Sequence, residues 1–254
     1  MESMKSKNSP VAVVLGGSGG IGSALATRLV RDGWKVVIAA RDTDRLQTAA
    51  AAAGAEARRV DGRDSAAVES LLQSIAEAHG RLDGAVNCIG SILLKPAHLT
   101  SDQEFTDTIT TNLTTAFYLA RAAGRVMMKQ TGGGGSIVLC SSVAAQRGLL
   151  NHEAIAAAKA GVEGLALAMA ASYARFGVRV NCVAPGLTRT PLTQALTQNE
   201  MLAKASAALH PLGRIGEGSE VASAIAWLLN PEQAWVTGQV IGIDGGLGRV
   251  QAKG

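Results

Sequence analysis

The stretch "GGSGGIG" at residues 16–22 sets Gly16, Gly20 and Gly22 in a G-x-x-x-G-x-G spacing between an apolar run and a helical pattern. Backbone without side chains can turn tightly and approach a pyrophosphate, whose charge is met by amide N–H groups and the positive end of the helix. Ser18 adds a hydroxyl donor, and Ile21 lies within the same turn. At "IAARDTDR", Ala40 occupies the place where a carboxylate would bond the ribose 2′-hydroxyl of NAD and repel the extra phosphate of NADP. Arg41 follows it and can grip that phosphate through two parallel hydrogen bonds, so NADP(H) is preferred over NAD(H). A second group lies in "HEAIAAAKAG": His152, Ile155 and Lys159 follow i, i+3, i+7 and share one face if a helix starts by His152. An imidazole titrating near neutrality there is a candidate proton donor.

The elements that must position these groups are legible as β-rich runs at 11–16, 34–40, 55–60, 82–90, 135–142, 178–186 and 238–246, separated by helix-length segments. Several runs are apolar almost throughout, as strands covered on both faces should be. They predict an α/β fold, a Rossmann-type doubly wound parallel sheet of about seven strands with helices on both faces. Such sheets bind ligands outside the carboxyl ends of their strands, where the informative residues should fall. Residues 1–9 read as a flexible N-terminal tail and 10–254 as a single domain. Residues 187–213 are the least regular and suit a substrate lid, although packing on their own domain is an equal reading.

A chain of 254 residues with 47% apolar residues can fill one sizeable core. The net charge of +4 is scattered, and aromatic residues make up only 3%, which argues against nucleic-acid binding. Cys88, Cys140 and Cys182 are far apart and each inside an apolar run, so neither a disulfide framework nor a metal site is expected; reduced core thiols in a cytoplasmic protein fit best. No run of about 18 continuous apolar residues predicts a membrane span. The helix over about 154–176 is apolar around most of its circumference, which predicts that both faces are covered, one by the sheet and the other by another subunit.

Together these residues resemble the classical short-chain dehydrogenase/reductase family. The resemblance rests on the glycine turn, "DGRD" (61–64), "NCIG" (87–90), Asn112 in "TTNLTTAF", "CSS" (140–142), Lys159, "NCVAPGLTRT" (181–190), "HPLGRIGEGSEVA" (210–222) and "VTGQVIGIDGG" (236–246). It implies hydride transfer with a small-molecule substrate. Asp61, beside Gly62, would bond the adenine, while Asn87 and Gly90 would line the cofactor groove. Pro185, Gly186, Thr188 and Thr190 would contact the nicotinamide end and pyrophosphate. Asn112 resembles the residue that holds a water in the proton relay, Ser142 the serine that polarises the substrate oxygen, and Lys159 the lysine that bonds the nicotinamide ribose. The similarity of the 154–176 helix to the family's dimerisation helix also implies a homodimer or homotetramer.

One departure is large. Ile155 lies thirteen residues after Ser142 and four before Lys159, where the family carries its catalytic tyrosine. The chain's other candidates, Tyr118 and Tyr173, fall inside helical patterns at the wrong spacing. Losing a general acid costs on the order of 10²–10⁴ in rate. Four readings follow: His152 donates the proton; the substrate is an activated alkene, as in the family's enoyl and dienoyl reductases; Ser142 works with a water held by Asn112 and Lys159; or the chain binds a dinucleotide without redox chemistry.

Overall fold

The computed structural model describes residues 9–251, so residues 1–8 of the expected tail lie outside the described residues. All seven expected strands form: β1 (Val11–Leu15), β2 (Lys35–Ala40), β3 (Glu56–Arg59), β4 (Gly84–Asn87), β5 (Gly135–Cys140), β6 (Val178–Pro185) and, at the far edge, β9 (Val240–Ile243). They pair in parallel in the order β3-β2-β1-β4-β5-β6-β9. A short parallel pair, β7 (Thr188–Arg189) and β8 (Gly216–Glu217), stands apart and was not expected.

Alternation along the strands divides the core in two. Val11, Val13 and Leu15 of β1 pack with α3 (Ser65–His79), α5 (Thr115–Met127) and α6 (Glu153–Tyr173) on one face. Ala12 and Val14 face the other side, under α1 (Gly20–Arg31), α2 (Thr43–Ala53) and α9 (Gly218–Leu229). Every β1 residue is buried, which explains why the run reads as continuously apolar. The order reverses between β1 and β4, and there the carboxyl ends of the strands open a crevice.

The remaining helices shape the rim of that crevice. α4 (Asp102–Ile109) starts with a capping box in which Ser101 and Glu104 bond each other's backbone amides. It runs into α5 through a π-helical turn, Thr110–Thr114, that contains Asn112; such turns shift the backbone hydrogen-bond ladder by one residue. α6 is long and apolar enough to cross a membrane by length and composition. It instead lays Ala158, Val162 and Ala166 into the core against the sheet. Before its first turn Asn151 is a left-handed residue with φ 62°, and His152 is the cap position, with no side-chain cap bond. Residues 187–213 fold as a 3₁₀ turn, α7 (Gln194–Thr197) and α8 (Glu200–Leu209), and α8 buries none of its residues.

Candidate active site

The glycine turn closes β1 onto α1. Gly16 has φ +82°, and a Cβ there would stand 2.8 Å from the backbone carbon of Cys88. A Cβ on Gly22 would stand 2.5 Å from the Gly16 carbonyl oxygen. Both positions therefore need glycine to keep the turn tight against β4 and α1. The first turn of α1 carries no acidic side chain, so its positive end is unopposed.

From this turn a groove of about 580 Å³ runs along the sheet edge. Gly16, Ser18, Gly20, Ile21, Gly22, Arg41, Asp61, Gly90 and Thr190 all line it. Arg45 and Arg63, which the sequence reading did not single out, line it too. Arg45 is presented from the first turn of α2, where Asp42 caps its amide at 3.1 Å. Arg63 reaches Thr111 Oγ1 at 3.0 Å, while its own amide is held by Asp61 at 3.0 Å. Three guanidinium groups against the carboxylates of Asp42 and Asp61 leave this end cationic.

Two expected groove residues stand behind it instead. Gly62 is buried, and a Cβ there would meet the Ile89 side chain at 2.4 Å. Asn87 is buried as well; it donates to Thr115 Oγ1 at 3.2 Å and accepts the Ile89 amide at 3.2 Å. Each acts on the groove through Ile89, which lines it.

The groove continues into a cavity of about 140 Å³ where Asn112, Ser142, Ile155, Lys159, Pro185, Gly186, Thr188 and Thr190 meet. Ser142 is extended, and its Oγ accepts the Ala144 amide at 3.2 Å, leaving the hydroxyl proton to donate elsewhere. Lys159 Nζ donates to the Cys140 carbonyl at 2.8 Å, and burial lowers its pKa from the ordinary lysine value. Asn112 is fully buried; its amide bonds Ser91 Oγ and the Thr108 carbonyl, both at 2.9 Å, and its Oδ1 accepts the Ser91 amide at 3.1 Å.

Ile155 occupies the wall of this cavity one turn before Lys159. His152 is not among the lining residues; its Nδ1 lies 2.7 Å from the Leu150 carbonyl oxygen at the start of α6. Tyr118 and Tyr173 pack against the core on the α5 and α6 side and also stand outside the cavity. Among the described residues there is no cluster of metal-ligating side chains.

A parallel doubly wound sheet, a glycine turn on a helix start, and a serine and lysine at the end of the same groove define a dinucleotide-dependent oxidoreductase of Rossmann type. Comparison with known proteins agrees. The family described as Enoyl-(Acyl carrier protein) reductase matches residues 16–248. The 3-oxoacyl-(acyl-carrier-protein) reductase FabG of Salmonella typhimurium is 35% identical over 242 residues, covering 93% of this chain and 96% of the relative. A tropinone reductase homolog of Arabidopsis thaliana is 34% identical over 243 residues, covering 92% and 90%. Among solved structures, a short-chain dehydrogenase/reductase of Mycobacterium ulcerans superimposes with TM-score 0.91 at 32% identity, covering 97% of this chain and 92% of that one. An actinorhodin polyketide ketoreductase variant with NADPH gives 0.90 at 31%, covering 97% and 100%. The chain belongs to the classical short-chain dehydrogenase/reductase family and is an NAD(P)-dependent oxidoreductase of that type.

Proposed function

We propose that the chain uses NADP(H) to reduce, or NADP to form, a small or apolar carbonyl or enone, with Ser142 and Lys159 working without a phenol. The observation that carries this reading is the continuity of groove and cavity: Ile21, Gly90 and Thr190 line both, so a dinucleotide in the first would end beside Ser142 and Lys159 in the second. The glycine cradle that a Cβ would fill suits a pyrophosphate, and Arg41, Arg45 and Arg63 suit the 2′-phosphate. The bound cofactor supplies or accepts the hydride.

The chain's own residues do the rest. The Ser142 hydroxyl donates to the oxygen on which negative charge builds. The Lys159 ammonium bonds the ribose and adds positive potential. Ile155 donates nothing, so the proton comes from a water held near Asn112 and Lys159. An enolate needs that proton less urgently than an alkoxide, which favours an enone; a relative named as a 3-oxoacyl-(acyl-carrier-protein) reductase and a family described as enoyl-(acyl carrier protein) reductase support both classes. Ile89, Ile92, Ile155 and Leu192 give the cavity apolar walls. Residues 187–213 act as the lid of the 10–254 domain, with Leu192, Leu202 and Leu209 exposed toward a substrate or solvent. The outer face of α6, where Leu167 is 62% exposed, joins further copies of the chain in a dimer or tetramer.

A screen of ketones, aldehydes, enones and alcohols with both cofactors tests the proposal. NADP(H)-linked turnover of a carbonyl or enone supports it. Tight NADPH binding with no turnover of any class would favour a dinucleotide-binding role instead.

A further inference from the structure

β4 and β5 are neighbours, with Asn87 opposite Leu139, so the next residues, Cys88 and Cys140, also face each other across the ladder. Adjacent strands lie about 4.8 Å apart, inside the roughly 4.4–6.8 Å Cα separation that a disulfide spans. Both side chains pack against the same core, under α1 and α9, and their sulfurs are 3.9 Å apart. Bringing them into bonding contact requires closing about 2 Å, by side-chain rotation together with a small approach of the two strand ends. The third thiol, Cys182, belongs to the opposite core face and is directed at the Val162 carbonyl.

These two thiols are not sealed packing. Both are half-buried, both line the catalytic cavity, and Cys88 also lines the groove. The Cys140 thiol donates to the Cys88 sulfur at 3.9 Å, and Lys159 Nζ sits on the Cys140 carbonyl. The contact with Cys88 and then the Lys159 charge lower Cys140 from the ordinary thiol range, which with that geometry makes Cys140 the nucleophile and Cys88 the resolving partner.

We propose that Cys88 and Cys140 form a redox-modification site, which hydrogen peroxide converts to an intramolecular disulfide that weakens cofactor binding. The Cys140 thiolate attacks a peroxide oxygen and breaks the O–O bond; the departing hydroxide takes up a proton as water, leaving a sulfenic acid. The Cys88 sulfur then attacks the Cys140 sulfur, the S–O bond breaks, and a second water leaves with the Cys88 proton. Two thiols and one peroxide thus give one disulfide and two waters, and a dithiol reverses the change.

The coupling to the groove is through backbone. The Cys88 amide donates to the Leu15 carbonyl at 2.8 Å, and its carbonyl carbon, with the Ile89 nitrogen, closes the space beside Gly16. The Cys140 carbonyl holds Lys159. Drawing the two residues together therefore disturbs the phosphate turn and the lysine at once. This second half rests on the groove being the NADP(H) site, as proposed above; the disulfide itself does not.

The test uses the whole chain, reduced and desalted, then treated with hydrogen peroxide with and without saturating NADPH. Alkylation in acid and peptide mass spectrometry read the thiols, and fluorescence titration reads NADPH affinity. The expected result is a peptide pair joined through Cys88 and Cys140, with Cys182 alkylated and disulfide formation slowed by NADPH. NADPH affinity should fall by roughly tenfold or more and return with dithiothreitol. Cys88→Ser and Cys140→Ser should each abolish the joined pair, while Cys182→Ser should retain it. Separate alkylation or sulfinic acid at Cys88 and Cys140 would overturn the site. A disulfide that leaves NADPH affinity unchanged would overturn the coupling. A reduced chain that binds no NADPH would remove the cofactor reading and the coupling with it, while the joined peptide still decides the disulfide.

Discussion

Ile155 and Lys159 stand one turn apart on α6 and both line the 140 Å³ cavity, so the ammonium group that would activate a phenol has an aliphatic neighbour instead. Ile155→Tyr should therefore restore a proton donor where one is missing. The added ring can use the cavity beside it, which limits the overpacking that a buried substitution otherwise brings. Turnover of generic ketones with NADPH should rise by on the order of tenfold or more. Unchanged ketone turnover in a variant that still binds NADPH would show that Ser142 is not poised for carbonyl chemistry.

His152 gives the complementary case. Its Nδ1 is tied to the Leu150 carbonyl, and the ring lies outside the cavity lining. A general acid contributes roughly 10²–10⁴ in rate. We expect His152→Ala to change turnover by less than about threefold across neutral pH, far below that range. A loss of tenfold or more, with a flattened pH profile, would return the imidazole to the proton path.

The proposed preference for NADP(H) rests on the cationic end of the groove. Arg41 and Arg45 both line it and neither is buried, so they are free to form forked bonds with a 2′-phosphate. Arg41→Ala and Arg45→Ala should each weaken NADPH by roughly tenfold to 150-fold, the range of one charge-assisted hydrogen bond, and leave NADH within about twofold. Competitive titration of both dinucleotides reads this directly. Equal losses for NADH and NADPH would mean that the guanidinium groups shape the groove rather than select the phosphate.

The sheet was legible because burial on both faces writes a continuous apolar run, as in β1, and because the glycine turn marks where the first strand ends. The β7 and β8 pair was not, since two-residue strands carry no period to detect. The Cys88 and Cys140 contact spans 52 residues and follows from strand order, which single runs do not encode. Arg63 sits inside the quoted "DGRD" stretch, yet its bond to Thr111 appears only when β3 and the π-helical turn are brought together. Asn87 and Gly62 show the opposite limit: their types and places in the chain match the groove pattern, but the Asn87 side chain turns to Thr115 and Gly62 faces the Ile89 side chain, one layer behind it.

The exposed face of α6 bears on assembly. Leu167 is 62% exposed on a helix whose other side is in the core. If this face joins copies of the chain, Leu167→Glu should shift the assembly toward smaller species by placing a charge in an apolar contact. Sedimentation at matched concentration measures the shift, and an unchanged mass distribution would move the interface elsewhere.

The link between α4 and the turn before α6 should also carry an acid-sensitive tie. Lys95 pairs with Glu104 at 2.8 Å, and the Lys95 amide donates to the Asn151 carbonyl at 2.8 Å, so one residue links the α4 capping box to the turn before α6. Lys95 first, and then the Ser101 amide and hydroxyl, hold the Glu104 carboxyl down to about 2 from its ordinary 4.5. A carboxylate lowered on folding stabilises the native chain above its unfolded value, and that contribution is lost as pH falls through the folded one. Glu104→Gln should thus melt at a lower temperature than the parent at pH 7, with the gap shrinking as pH falls from 4.5 toward 2. A gap independent of pH would assign the loss to the capping geometry alone, without the Lys95 charge.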